Sequence, residues 1–175
     1  MKYIIYLILF SSSFSFSQEI EIEKKYFNEI KAILKNKKVK KSYEYIIRQE
    51  PFTYENLIKL TEIEAPPFKE QNRAIEFKHM IEEIGIDSVW IDLEGNVVGL
   101  LKGQEGTRTV GLDAHLDTVF PEGTDVKVRI KNDTLYAPGI ADDSRGLSML
   151  LTILKTIRNN DIALRDNLLF IGSVG

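Results

Sequence analysis

The sequence contains no cysteine. This absence excludes disulfide bonds, thiolate metal ligands and a lipid anchor on an N-terminal cysteine. Histidine is scarce as well, with two residues in the whole chain. Any metal site must therefore be built from imidazole and carboxylate groups.

Extended blocks of basic residues are also missing, and the formal net charge is −3. The one short basic run, residues 35–41, lies among helix-forming residues and is interpreted as a solvated helix face. We therefore predict no nucleic-acid partner. Hydrophobic residues make up 43% of the chain and charged residues 28%, which is typical of a globular protein. With 175 residues, the chain is long enough for one domain with its own core.

The first residues have the pattern of a signal peptide. A positive charge at Lys2 is followed by a compact apolar run over residues 3–10 and then by small residues up to Ser17. The alternative, a membrane anchor, needs roughly 20 apolar residues, and serines interrupt this run well before that length. We predict that residues 1–17 are removed and that the mature protein is exported, periplasmic or secreted. We also predict no membrane contact after cleavage.

Helical periodicity dominates the next part of the chain. We predict a helical stretch over residues 19–49 that packs on the domain as an N-terminal cap, with its second helix ending before Pro51. A further helix should begin at Thr53 as its N-cap and end before the next prolines. Another should span residues 70–84 and close at a glycine. The apolar stripe assigned to the first helix consists of Tyr26, Phe27, Ile30, Ile33 and Leu34.

From residue 87 onward the apolar residues mostly alternate with a period of two, which predicts strands. The third strand is apolar enough to be central, and the last is apolar throughout, which predicts burial on both faces. One helix, residues 143–158, precedes the last strand. The predicted fold class is α/β, with a mixed sheet flanked by helices. The predicted strands are residues 87–93, 96–101, 110–112, 126–130, 134–136 and 168–171.

Polar residues follow the predicted strand of residues 110–112. His115 and Asp117 are two residues apart, so in an extended chain both project to the same side. A neutral imidazole is a good zinc ligand, and a neighbouring carboxylate can orient that ligand or a reacting group. The alternative interpretation is an ordinary strand-end histidine that is hydrogen-bonded in a turn.

Two acidic residues, Asp142 and Asp143, stand at the start of the next predicted helix within GIADDSRG. One of them can accept the free N–H groups of the first helical turn, with Ser144 sharing that role. The other would then point toward the strand ends. A carboxylate there can bridge two cations, with one oxygen bound to each.

Together, AHLDTVFP and YAPGIADDSRG resemble the motifs of the dizinc metallopeptidase family numbered twenty, which includes peptidase T, glutamate carboxypeptidase and aminoacylase. The resemblance covers residues 53–175 and implies a zinc exopeptidase fold and activity on short peptides, with two zinc ions in the complete enzyme. It implies that His115 is a metal ligand, that Asp117 is the catalytic aspartate and that Asp142 bridges both metals. It also implies a cis peptide bond between Asp142 and Asp143.

In that family, a Glu-Glu pair directly follows the strand that LLFIGSVG resembles. The first glutamate is the general base and the second is a metal ligand. The resemblance therefore implies that residues 18–175 are the N-terminal portion of a catalytic domain, without the dimerisation and lid domain or the C-terminal part. It implies an inactive fragment, with a homodimer possible only for the complete chain. Two alternatives stay open: an amidohydrolase of N-acyl amino acids, and a non-catalytic fragment or binding module.

Overall fold

The computed structural model describes residues 23–175 of the chain. The predicted signal peptide, residues 1–17, lies outside the described residues and stays a prediction. Among the described residues, residues 23–34 and Lys35–Gly175 belong to two separate units. Among the described helices, none is long and apolar enough to cross a membrane.

The first unit contributes helix α1, Lys24–Lys35. None of the described residues of this helix is buried, and its packing on the domain as a cap stays a prediction. The exposed fraction of the stripe side chains runs from 47% at Leu34 to 56% at Ile30. Periodicity correctly indicated an amphipathic helix, but it carries no information about whether a partner covers the apolar side.

The second unit begins with helices α2, Lys37–Arg48, and α3, Glu50–Thr61. The side chain of Asn36 caps α2 by accepting the N–H of Lys38 at 2.8 Å. The prediction that Thr53 starts the next helix is wrong, because Pro51 lies inside the first turn of α3. Proline is tolerated there, since the N–H it lacks has no partner in a first turn. The Thr53 hydroxyl instead lies within hydrogen-bonding distance of Gln49 O.

Helix α4 spans Gln71–Ile84, within one residue of the prediction. Gly85 ends it with φ of 92°, a backbone conformation that favours glycine, and its N–H donates to Ile81 O at 3.2 Å. The buried side of α4 carries Arg73, Ala74, Phe77, Met80 and Ile81.

A four-stranded sheet lies at the centre of the second unit, with a separate hairpin beside it. The strands are β1, Ser88–Ile91; β2, Val97–Leu101; β3, Thr109–His115; β4, Arg129–Lys131; β5, Thr134–Tyr136; and β6, Asn167–Ser173. The sheet order is β1-β2-β6-β3, with β2 antiparallel to both neighbours and β3 parallel to β6. The hairpin β4–β5 forms its own two-stranded sheet. The predicted class, α/β with a mixed sheet flanked by helices, is confirmed.

Two predictions about the sheet are wrong. Strand β3 was expected to be central but lies at an edge of the described sheet, and Val110 is 52% exposed. Strand β6 was expected to be buried on both faces, yet Phe170 and Gly172 are its buried residues and the others are half-buried. The first error arises because β6 inserts between β2 and β3, and an insertion from later in the chain leaves no local pattern. The second arises because an apolar strand does not indicate whether both faces of its sheet are covered, and α4 and α5 pack in one core cluster with Phe170.

Helix α5, Arg145–Asn159, connects β4–β5 to β6 and buries one face of the sheet together with α4. Its leucines interlock with Phe77 and Ile81 of α4 and with Phe170 of β6. Full burial of such a side chain stabilises the fold by about 1.5–3 kcal/mol. Strands β3 and β6 are parallel and pair from Thr109–Asn167 to His115–Ser173, so both end at the same edge of the sheet. The buried leucines of α5 are Leu147, Leu150, Leu151 and Leu154.

Candidate active site

The carboxyl end of β3 carries two of the predicted site residues. His115 is the last residue of the strand and pairs in register with Ser173 of β6. The N–H of Leu116 donates to Ser173 O at 2.6 Å, so the pairing continues just past the strand. Asp117 follows at the edge where both parallel strands end. The carboxyl ends of strands in open α/β sheets are where ligands bind.

The imidazole of His115 lies between two carboxylates. Its Nε2 is 2.9 Å from Asp142 Oδ1, and its Nδ1 is 3.1 Å from Asp117 Oδ1 and 3.0 Å from the Asp117 carbonyl oxygen. The side chain of Asp142 is 89% exposed, whereas that of Asp117 is 19% exposed. The proximity of the three residues was predicted, and the structure brings them together. Their roles as ligand and catalytic group stay predictions.

This arrangement controls the protonation of His115. Burial by itself lowers the pKa of the imidazole, but the hydrogen bond to Asp142 and the negative charges of Asp117 and Asp143 outweigh it. The net effect raises the pKa of His115 above its ordinary value. The site therefore attracts positive charge, which a proton or a metal cation can supply.

Asp143 has a different environment from its neighbour. Its two carboxylate oxygens accept the N–H of His115 at 3.2 Å and the N–H of Gly146 at 2.9 Å. A Cβ at position 146 would collide with this carboxylate, so the close approach requires glycine. The sequence predicted that one acid would cap the helix while the other faced the strand ends. The structure assigns the first position to Asp143 and the second to Asp142.

The backbone between the two acids is not helical. Ile140–Ser144 form a wide turn in which Asp142 and Asp143 have non-helical φ and ψ, and the peptide bond between them is cis, as the resemblance implied. The regular helix consequently begins at Arg145, two residues later than predicted. Ser144, expected to share the capping, has a buried hydroxyl without a hydrogen-bond partner among residues 23–175.

Sequence reasoning missed Arg73, which binds the backbone next to Asp117. This arginine is fully buried, and its guanidinium donates to Leu116 O at 2.8 Å and to Ile63 O at 2.5 Å and 3.1 Å. Burial lowers the pKa of Arg73 to about 10, although the negative charge of Asp117 acts in the opposite direction. The arginine thereby holds the peptide before Asp117 against the α3–α4 connection.

A second contact strengthens this attachment, since Thr118 donates to Ala65 O from its N–H at 2.8 Å. Residues 116–118 are therefore anchored on both sides of Asp117. A sequence signal for Arg73 does exist, because it is adjacent to Ala74 and stands at helical spacing from Phe77 on the apolar side of α4. A charged residue in that register indicates a buried group with partners.

The donors at His115 fit zinc by type but are incomplete in number. Imidazole nitrogen and carboxylate oxygen are both ordinary zinc ligands, and Nε2 of His115 and Oδ1 of Asp142 face each other. Within residues 23–175, no group of three or more His, Asp or Glu side chains is arranged to hold a metal ion. A catalytic zinc ordinarily has three protein ligands. The described residues therefore supply fewer protein ligands than a catalytic zinc ordinarily has.

The stretch that contains this site matches a known family. Residues 111–175 match the sequence family described as Peptidase family M20/M25/M40. The resemblance predicted from the motifs is confirmed by this match over residues 111–175. Carboxypeptidase G2 from Pseudomonas sp. (strain RS-16) is 40% identical to the chain over 65 residues, which are 36% of this chain and 15% of that protein.

Solved structures share the fold over a longer part of the chain. Aminopeptidase PepT from Bacillus cereus ATCC 10987 superposes with a TM-score of 0.61 and 22% identity, covering 70% of this chain and 36% of that one. The YXEP protein of Bacillus subtilis, described as a dinuclear metal binding peptidase of the same family, has a TM-score of 0.55 and 13% identity, covering 71% and 35%. At these identities the likeness concerns the fold. The chain thus spans 15% to 36% of the length of these peptidase-family proteins.

Proposed function

We propose that the complete protein is a zinc-dependent exopeptidase that hydrolyses short peptides with a metal-activated water. The observation that carries the proposal is the ring of His115, held between Asp117 and Asp142 at the carboxyl end of β3. This arrangement lies inside residues 111–175, the stretch related to peptidases and other hydrolases of the family. Because the chain covers only part of its relatives, the proposal concerns the complete protein.

Each of the three residues has a proposed role. His115 and Asp142 would hold metal, and the exposed carboxylate of Asp142 would bridge two zinc ions in the complete enzyme. Asp117 would accept the Nδ1–H of His115, which leaves the Nε2 lone pair free for a metal. When bound, zinc would lower the pKa of its water ligand and polarise the scissile carbonyl group. The description of YXEP as dinuclear supports two metals here.

The anchoring of residues 116–118 supports the proposed role of Asp117. Arg73 and Thr118 hold the backbone on both sides of this residue, so its carboxylate can keep the imidazole in one tautomer and orientation. Preorganisation of this kind matters because small displacements of reacting groups reduce rates strongly.

A metal measurement and an activity measurement on the complete protein test the proposal. His115→Ala should lose bound zinc, measured by mass spectrometry of the purified protein, and should also lose hydrolysis of dipeptides and tripeptides. His79→Ala is the matched control, because this second histidine lies outside the site. Its side chain is 58% exposed, and its Nδ1 lies 3.8 Å from Glu83 Oε1. Retention of full zinc content and activity by His115→Ala would refute the assignment.

Substrate assays separate the remaining candidates. Carboxypeptidase, aminopeptidase and N-acyl amino acid hydrolase activities share the same motifs, so matched peptides with a free or blocked terminus distinguish them. Turnover of N-acyl amino acids in preference to peptides would replace the exopeptidase with an amidohydrolase. Zinc binding without turnover of any of these substrates would favour a binding module.

Export and assembly are further parts of the proposal. Removal of residues 1–17 would deliver a mature protein that begins at Gln18 outside the cytoplasm, which N-terminal sequencing of exported protein tests. Homodimerisation is proposed for the complete chain alone. Sedimentation velocity of the complete protein measures it directly.

A further inference from the structure

Charge is distributed very unevenly along the chain. Residues 24–48 contain nine Lys or Arg residues and two Glu residues, a net charge of +7. The whole chain has 23 basic and 26 acidic residues, so everything outside this segment has a net charge of −10. The segment comprises α1 and α2 and precedes residues 53–175, which carry the resemblance to peptidases. We call residues 24–48 the basic segment.

Helix α1 is amphipathic in its own right. Its apolar residues occur at positions i, i+1, i+4, i+7 and i+8, which form one continuous stripe. These side chains are about half exposed, and two are aromatic. Lysines occupy the remaining faces at the start and end of the helix. They are Lys24, Lys25, Lys31 and Lys35.

Helix α2 has the same character, although it is packed in the second unit. One side of the helix contacts α5. On this side Ser42 is buried, and the Tyr45 hydroxyl accepts a hydrogen bond from Asn159 Nδ2 at 2.7 Å. Another side presents Tyr43, Ile46 and Ile47, of which Ile47 is 74% exposed. The helix therefore already has its packing partner, and the exposed stripe is additional to it. Exposed apolar residues at i, i+3 and i+4 on a packed helix mark a surface for another partner.

We propose that the basic segment binds the surface of an anionic lipid bilayer. An interfacial helix places an apolar stripe among the lipid chains and lysines against the headgroups, and both α1 and α2 have this combination. Anionic lipids attract each nearby lysine by about 1 kcal/mol, which corresponds to about fivefold in partitioning. This proposal replaces the expectation of a solvated basic face without membrane contact, because apolar side chains of both helices are exposed as well as the lysines.

Other partners fit the surface less well. Nucleic acid would use the lysines but would leave the apolar stripes in water. The basic segment of a second copy would bring like charges together, which disfavours self-association through this surface. An anionic bilayer satisfies the charge and the apolar stripes at the same time.

Vesicle sedimentation tests the proposal with the complete protein lacking residues 1–17, so that the apolar run near the N-terminus cannot contribute. The protein should co-sediment with vesicles of equal parts phosphatidylcholine and phosphatidylglycerol, and added salt should release it from them. Vesicles of phosphatidylcholine alone should bind it much more weakly. Equal binding to both vesicle types, or no binding to either, would overturn the proposal.

Paired variants locate the binding surface. The double change Lys40→Gln with Lys41→Gln should weaken partitioning roughly 30-fold, from the contribution of two lysines. Lys102→Gln with Lys131→Gln removes the same charge elsewhere in the chain and should have little effect. The double change Ile30→Ser with Leu34→Ser should weaken binding at least about 100-fold, while Leu93→Ser, at a fully exposed apolar residue outside the basic segment, should not.

Two further measurements keep the outcomes distinct. Far-ultraviolet circular dichroism should show unchanged helix content in each variant, so that lost binding reports the surface and not the fold. Sedimentation velocity without lipid should show that the protein does not self-associate through this stripe. The Ile30→Ser and Leu34→Ser changes should therefore leave its oligomeric state unchanged. A dimer that depends on those two residues would assign the stripe to a second copy and overturn the membrane proposal.

Discussion

The two ends of the parallel pair β3–β6 both carry charged side chains, but they differ in how the charges are balanced. At the amino end, Arg108 donates to Asp166 Oδ2 from Nη2 at 2.8 Å, and the Thr107 hydroxyl donates to Oδ1 at 3.2 Å. The cation and the anion there satisfy each other. At the carboxyl end, the imidazole of His115 lies between the carboxylates of Asp117 and Asp142, and its backbone N–H donates to Asp143.

The difference appears in the protonation of each cluster. The hydrogen bond from Arg108 is the largest influence on Asp166 and lowers its pKa, as expected of a completed ion pair. At the other end, the surrounding carboxylates raise the pKa of His115, so the cluster favours an added cation. A balanced cluster holds two segments together, whereas an excess of one sign provides a place for a ligand.

The largest expected effect comes from removing one carboxylate at each end. In the complete protein, Asp142→Ala should reduce peptide hydrolysis by more than about 100-fold, because partners that merely orient metal ligands already contribute 10- to 100-fold. Asp166→Ala should leave hydrolysis unchanged. In metal-free protein, nuclear magnetic resonance titration should show a lower pKa of His115 in Asp142→Ala. Equal activity losses in the two variants would remove the distinction between the ends.

Arg73 should matter more to stability than Arg108. Arg73→Met leaves the carbonyl groups of Ile63 and Leu116 without their donors and should lower the free energy of unfolding by about 2–4 kcal/mol. Urea denaturation measures the change. The identical substitution Arg108→Met removes an exposed ion pair and should have a much smaller effect. A larger loss for Arg108→Met would contradict the buried position inferred for the first arginine.

Asp117 should affect turnover more than metal content. Asp117→Asn keeps the size and one acceptor oxygen beside His115 Nδ1 but removes the charge. We expect kcat to fall about 10- to 100-fold while bound zinc is retained. Steady-state kinetics with parallel metal analysis checks this. A rise in KM with unchanged kcat would instead indicate a substrate-binding role.

The smallest expected effect concerns acid stability at the amino end. Because the folded pKa of Asp166 is lowered, its pair with Arg108 stabilises the fold above the unfolded pKa of an aspartate, about 3.9. That contribution should decline as the pH falls and disappear below the lowered folded pKa. Arg108→Met should reduce the acid sensitivity of the unfolding midpoint slightly. An unchanged pH dependence would show that the pair adds no stability.

Part of this architecture was predictable from the sequence because it depends on near neighbours. Helix α4 and its terminal Gly85 follow from apolar spacing and from the need for a positive φ. The joint projection of His115 and Asp117 follows from strand periodicity. The start of α3 was not predictable in this way, because Pro51 is compatible both with ending one helix and with opening the next.

The sequence by itself determined the element types, the polar strand end and the presence of two adjacent acids before α5. Tertiary structure alone decided that β6 separates β2 from β3, that Asp143 caps while Asp142 faces His115, and that Arg73 is buried behind the site. The physical reason is the separation along the sequence of the residues that are in contact. Periodicity and capping depend on residues a few positions apart. The contact of His115 with Asp142 joins residues 27 positions apart and that of Arg73 with Leu116 joins residues 43 positions apart, so both exist only in the folded chain.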